Sequence, residues 1–143
     1  MKNLIAVIVV IVFAIMAYSF NFPEDPKKVP EKYDKLINPF KADAASLKSG
    51  KETYSMLCRS CHGAGGKGDG NKAAYLETPP ADFTSLAFQS QSDGAIFYRV
   101  FYVHKDMSSL KRRMIDNESD IDGSFGTSSG PGDLVNYLRT FSK

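Results

Sequence analysis

The segment at positions 58–62 reads Cys-Arg-Ser-Cys-His and holds both cysteines of the chain. Cys58 and Cys61 are three positions apart, so on a helical turn their thiols lie on one face. Two thiols placed in this way can add to the two vinyl groups along one edge of a porphyrin, and the adjacent His62 then projects over the iron. The spacing therefore predicts one haem c, bound covalently through Cys58 and Cys61, with His62 as an iron ligand.

Two other chemistries use a Cys-x-x-Cys pair. A thioredoxin-like dithiol occurs in a βαβ context, and a structural zinc site needs two further Cys or His ligands at short spacing. The second histidine, His104, lies 42 residues beyond His62. We therefore favour haem over a redox dithiol and over zinc.

The group opposite His62 decides between electron transfer and small-molecule chemistry at the iron. Met107, Met114 and His104 are the candidates. Met107 lies in a polar stretch without apolar periodicity, so core packing does not explain it. Met114 follows three basic residues, which indicate a solvated helix end. The residues alone leave Met107, Met114, His104 and an open site as alternatives, with Met107 favoured by its polar surroundings.

Three helices are predicted to position these residues. The first begins after Asp43 and carries the Cys-His motif at its end, the second begins after Ser92, and the last begins within residues 129–133. Their predicted buried positions are Leu47, Gly50, Tyr54 and Cys58; Ile96, Phe97, Val100 and Phe101; and Leu134, Leu138 and Phe141. The pattern favours an all-α domain.

Residues 47–141 resemble a class I, monohaem cytochrome c of bacterial respiratory chains. Besides the haem motif, five segments carry the resemblance in order: Ser-Gly-Lys-Glu-Thr-Tyr at 49–54, the glycine-rich stretch at 63–70, Pro-Pro-Ala-Asp-Phe-Thr at 79–84, Asp-Gly-Ala-Ile-Phe-Tyr at 93–98 and Leu-Val-Asn-Tyr-Leu-Arg at 134–139. The resemblance implies the cytochrome c fold, all-α and wrapped around one covalent haem. The stretch at 116–132 is longer than is usual in the family and is interpreted as a partner surface.

The resemblance also implies roles for single residues. Residues 98–110 align with the family's segment for the methionine ligand, which places that ligand at Met107. The second ring nitrogen of the proximal histidine donates to a proline carbonyl in the family, so we expect Pro80 as the acceptor, with Pro79 as the alternative. The first and last helices cross in the family, which brings Gly50 and Tyr54 to Leu134 and Tyr137.

The amino-terminal segment at 4–22 has 19 residues without a charge. As a helix it would span roughly 28 Å, close to the hydrocarbon thickness of a bilayer. We expect residues 1–22 to be a single-pass anchor in the bacterial cytoplasmic membrane, with a cleaved signal peptide and a soluble periplasmic product as the alternative. Residues 23–43, rich in proline and charge, are predicted to be a tether, and residues 44–143 the haem domain on the periplasmic side.

Composition excludes several functional classes. A net charge of +2 over 143 residues gives no strongly basic face for nucleic acid, and two cysteines cannot build a disulfide framework.

We expect no enzyme activity but one-electron transfer, from a quinol-oxidising complex or dehydrogenase to a terminal oxidase or reductase. The alternatives are a haem subunit permanently docked in a respiratory complex, or an enzyme or gas sensor with an open iron site. Six basic residues near the haem segments predict either an acidic docking partner or a solvated surface: Lys67, Lys72, Lys105, Lys111, Arg112 and Arg113.

Overall fold

The computed structural model describes residues 28–103, Phe125 and residues 130–142. Every regular element in this part of the chain is helical, which confirms the predicted all-α class. The elements are α1 (Glu31–Asp34), α2 (Ala44–Leu57), α3 (Arg59–His62), a 3-10 turn (Ala73–Tyr75), α4 (Leu86–Gln89), α5 (Asp93–Tyr98), a π-helix (Arg99–Val103) and α6 (Gly130–Arg139).

Within the described ranges no helix is long and apolar enough to span a bilayer. The predicted anchor or signal peptide, residues 1–22, lies outside those ranges, and so does most of the stretch at 116–132. Both interpretations stay predictions.

Helix α2 begins as predicted, with the Asp43 carboxylate accepting a hydrogen bond of 2.9 Å from the Ser46 N–H. It packs directly on α6 at Gly50. A Cβ atom at Gly50 would overlap the Asp133 carbonyl oxygen and come within 2.7 Å of the Tyr137 Cβ. One turn later the Tyr54 ring lies 5.4 Å from the Tyr137 ring. The first and last helices therefore meet, with Gly50 and Tyr54 against Tyr137 as the resemblance implied.

The second predicted helix is split between α5 and the π-helix. The Ser92 hydroxyl caps α5 by accepting from the Ala95 N–H at 3.0 Å. All four predicted apolar positions are buried, two in each element: Ile96 and Phe97, then Val100 and Phe101. The apolar stripe therefore stays on the core across the change from α-helix to π-helix.

The last helix is fixed to the turn before α5 by its final residue. The Arg139 guanidinium forms a half-buried ion pair with Asp93 at 2.7 Å. It also donates to the carbonyl oxygens of Gln89 and Gln91, at 2.7 and 2.6 Å. Hydrogen bonds from a charged donor are stronger than neutral ones, so Arg139 joins α4, α5 and α6 into one unit.

The described part of the predicted tether, residues 28–43, is folded against the domain; we call it the N-terminal strap. Tyr33 is 5% exposed and its ring lies 4.5 Å from that of Tyr98. Leu36 and Phe40 pack on the same core. The predicted domain boundary at Ala44 is therefore wrong, because these three residues, three and four positions apart, give a proline-rich and charged segment one apolar side.

Polar contacts fix the far end of the strap to α6. The Asn38 side chain donates to the Gly132 carbonyl and to the Asn136 side-chain oxygen, at 2.9 and 3.0 Å. The buried Asn136 amide donates in turn to the Phe40 carbonyl and the Ser46 hydroxyl. These hydrogen bonds hold the strap on α6, each with a net contribution of about 0.5–1.5 kcal/mol.

We predict that Gly94→Ala lowers the free energy of unfolding by about 1–3 kcal/mol, the usual cost of overpacking. A Cβ at Gly94 would overlap the Tyr33 carbonyl oxygen, so the strap must move away from α5. Gly65→Ala is the matched control, since a Cβ there meets nothing within 4 Å. Urea unfolding of both variants measures the difference, and equal stabilities would contradict the docked strap.

Candidate functional site

The two cysteines lie where α2 continues into α3, with Cys58 between the two helices and Cys61 within α3. Cys58 joins α2 to α3, with its N–H donating to the Tyr54 carbonyl and its own carbonyl accepting from the His62 N–H, both at 2.9 Å. Both thiols are free of disulfides; that of Cys58 is buried and that of Cys61 is partly exposed. The spacing of three residues therefore puts both thiols on one side of the turn, next to His62.

The His62 ring is held by a backbone carbonyl. Its Nδ1 lies 3.1 Å from the Ala81 carbonyl oxygen. Because a carbonyl can only accept, Nδ1 carries the proton, and the lone pair of the neutral ring is then on Nε2. This is the tautomer that a histidine needs in order to bind a metal through Nε2.

The observed acceptor is one residue beyond the predicted Pro80. The Pro80 carbonyl instead faces Gly68, where a Cβ atom would lie 2.5 Å from that oxygen. Successive peptide groups in an irregular segment face different directions, so the sequence indicates the segment but not which carbonyl reaches the ring. The assignments of Pro80, and of Pro79 as its alternative, are therefore corrected to Ala81.

A phenyl ring lies on the face of the same imidazole. The Phe83 and His62 rings are stacked, with centroids 4.2 Å apart and planes 17° from parallel. The Phe83 N–H donates to the Gly66 carbonyl at 2.7 Å. The sequence analysis did not predict this contact between Phe83 and His62. The sequence does place an aromatic residue two positions after Ala81, but segment 79–84 was considered only for its resemblance to the family and its prolines.

The residue after His62 is held by a buried phenol. The Tyr54 hydroxyl donates to the Gly63 carbonyl at 2.6 Å, and Tyr54 is 2% exposed. Burial, with a smaller effect of Cys58, raises the pKa of Tyr54 above its usual value of 10, so the phenol stays a neutral donor. Gly63 has φ +82, and a Cβ there would overlap the Asp69 carboxylate. The end of α3 is thus fixed on both sides.

The glycine-rich stretch at 63–70 returns along α3 and pairs with its last carbonyl groups. The N–H of Gly68 donates to the His62 carbonyl and that of Gly70 to the Cys61 carbonyl, at 2.9 and 3.0 Å. A Cβ at Gly70 would come within 2.6 Å of the Cys61 backbone. A helix of four residues cannot satisfy these carbonyls internally, so the loop stabilises the turn that carries the thiols and the imidazole.

The remaining predicted site residues are distributed as follows. Tyr137 contacts the site through Tyr54, the residue that holds Gly63. Lys67 and Lys72 are exposed in the loop after α3. The structure does not describe His104, Met107, Met114, Lys105, Lys111, Arg112 or Arg113. Among the described residues, no three His, Cys, Asp or Glu side chains come together as a metal site would require.

We predict that Tyr54→Phe lowers the free energy of unfolding by about 1–3 kcal/mol, because the buried Gly63 carbonyl loses its donor. The control is Tyr75→Phe, which removes the hydroxyl of a tyrosine that is 86% exposed and should change stability by less than about 0.5 kcal/mol. Chemical denaturation followed by circular dichroism measures both. A Tyr54→Phe variant as stable as the control would contradict the role given to this hydrogen bond.

Comparison with known proteins adds no identification: no protein-family model matches the chain, and no curated protein matches it.

Proposed function

We propose that this protein is a one-electron carrier holding one haem c, attached through Cys58 and Cys61 and ligated by His62. The observation that carries the proposal is the arrangement at α3. Two cysteines one helical turn apart are followed directly in the chain by His62, whose Nδ1 is held by the Ala81 carbonyl at 3.1 Å. This set matches what a covalently bound haem requires: two thiols that can each add to a vinyl group and form a thioether link, and one neutral histidine with its lone pair on Nε2.

The redox-dithiol alternative fits these residues less well. Burial, with a smaller effect of Cys61, raises the pKa of the Cys58 thiol to about 12. A reactive dithiol depends on a cysteine with a lowered pKa, because the thiolate is the nucleophile. The βαβ frame of such proteins also has no counterpart among the described elements, all of which are helical.

Haem c, when bound, supplies a one-electron ferric/ferrous couple. The chain's own contribution is to hold the ligand still. His62 is restrained by Ala81, and the next residue is anchored by Tyr54 through the Gly63 carbonyl. Little rearrangement between the two oxidation states is the property that an electron carrier needs, and a rigid ligand turn supplies it.

We propose Met107 as the second iron ligand. A neutral thioether favours ferrous iron, so this ligand would raise the reduction potential relative to a second histidine. Such a domain is suited to accept electrons from a quinol-oxidising complex or dehydrogenase and to pass them to a terminal oxidase or reductase.

The N-terminal strap changes the expected reach of the domain. Because the strap is part of the folded unit, only residues 23–27 separate the proposed membrane anchor from it. An extended chain spans at most about 3.5 Å per residue, so this connection reaches less than about 20 Å. The proposed partners are therefore proteins that dock close to the periplasmic surface of the cytoplasmic membrane, including the other subunits of a complex in which this chain is permanently docked.

The test of attachment is made on the full chain, exported from a host that matures c-type haem. We expect one haem per chain that stays bound after acidic acetone extraction, measured by mass spectrometry. The Cys58→Ala/Cys61→Ala variant should lose this covalent haem, whereas Ser60→Ala, which changes an exposed residue between the two thiols, should retain it. Wild-type protein that matures without haem would contradict the proposal.

The test of the second ligand compares Met107→Leu with Met56→Leu. We expect the wild-type ferric protein to show the weak sulfur-to-iron charge-transfer band, and Met107→Leu to lose it. Met56 is 74% exposed on α2, so Met56→Leu should keep the band. A wild-type protein that lacks the band and binds carbon monoxide when reduced would contradict Met107 ligation and favour an open-site sensor or enzyme.

A further inference from the structure

The imidazole of His62 is held from two directions by one short segment. The Ala81 carbonyl is hydrogen-bonded to Nδ1 in the plane of the ring, and the Phe83 ring covers one face, with the two ring centroids 4.2 Å apart. These restraints are not equivalent. A single hydrogen bond fixes one point of the ring but leaves it able to tilt about the Nδ1–oxygen line, whereas a stacked ring opposes that tilt.

Phe83 is itself unable to move easily. It is 4% exposed, and its N–H is paired with the Gly66 carbonyl. Its ring also packs against Phe88, Phe141 and Tyr54, with centroids 4.7, 6.2 and 6.3 Å away. In a close-packed cluster, a ring held on several sides keeps its orientation. The face that Phe83 presents to His62 is thus set by the core.

We infer that Phe83 is a positioning residue that fixes the orientation of the His62 ring plane and so the electronic asymmetry of the iron. The inference rests on the proposed function and deepens it. The orientation of an axial imidazole plane determines how the ligand's π orbitals split the iron d orbitals, which is read directly in the g values of the low-spin ferric state. With Phe83 in place, a rotation of the imidazole requires displacement of the aromatic core.

The test is electron paramagnetic resonance of the ferric, haem-loaded full chain. Phe83→Leu removes the stacked face but keeps an apolar side chain, and we expect a shifted or broadened largest g value. Phe83→Tyr keeps the ring face and should restore the wild-type spectrum. Phe88→Leu is the matched control, because it removes a buried ring from the same cluster, and its g values should be those of wild type.

The outcomes separate this inference from the proposed function. A wild-type protein without covalent haem overturns the proposed function itself. A haem-loaded Phe83→Leu variant with wild-type g values and line width overturns the positioning role alone, as does an equal change in Phe88→Leu. Phe83→Met, whose flexible unbranched side chain can fill an irregular gap, replaces Phe83→Leu if the leucine variant does not fold, and is judged by the same two spectral criteria.

Discussion

The close approach of α2 and α6 at Gly50 is the constraint on which the rest of the site depends. No side chain fits there, because a Cβ atom would overlap the Asp133 carbonyl oxygen. The two helix backbones therefore touch, and this contact determines where Tyr54, one turn further along α2, is buried. From this buried position its hydroxyl donates to the Gly63 carbonyl and anchors the end of α3. The contact between α2 and α6 thus positions the turn that carries the thiols and His62.

The opposite side of the turn is held by the chain that follows it. The loop after His62 returns its N–H groups to the last carbonyls of α3, and the segment that comes after the loop supplies Ala81 and Phe83 to the imidazole. Hydrogen bonding and stacking act on different movements of the ring, so together they restrain it more completely than either does alone. The proposed electron carrier would have to change its charge without changing its shape, and this restraint would serve that requirement.

Features that depend on neighbours in the sequence were predictable, and features that depend on tertiary contacts were not. Asp43 and Ser92 are helix caps as expected, since a cap needs only its own first turn. Ala81 was missed in favour of Pro80 because the direction of a carbonyl in an irregular segment follows from packing against Gly68. The strap was missed because proline and charge dominate its composition, while its apolar side gains stability only against α5 and α6. Met107 remains a prediction, since its segment lies outside the described residues.

The most direct test of the central claim is an equilibrium redox titration of the purified full chain, followed in the visible absorption bands. We predict one reversible transition with a one-electron slope of about 59 mV per decade, carried by the haem. A chain that has no visible band and titrates only through its thiols, with the two-electron slope of about 30 mV per decade of a Cys58–Cys61 disulfide, would contradict that claim.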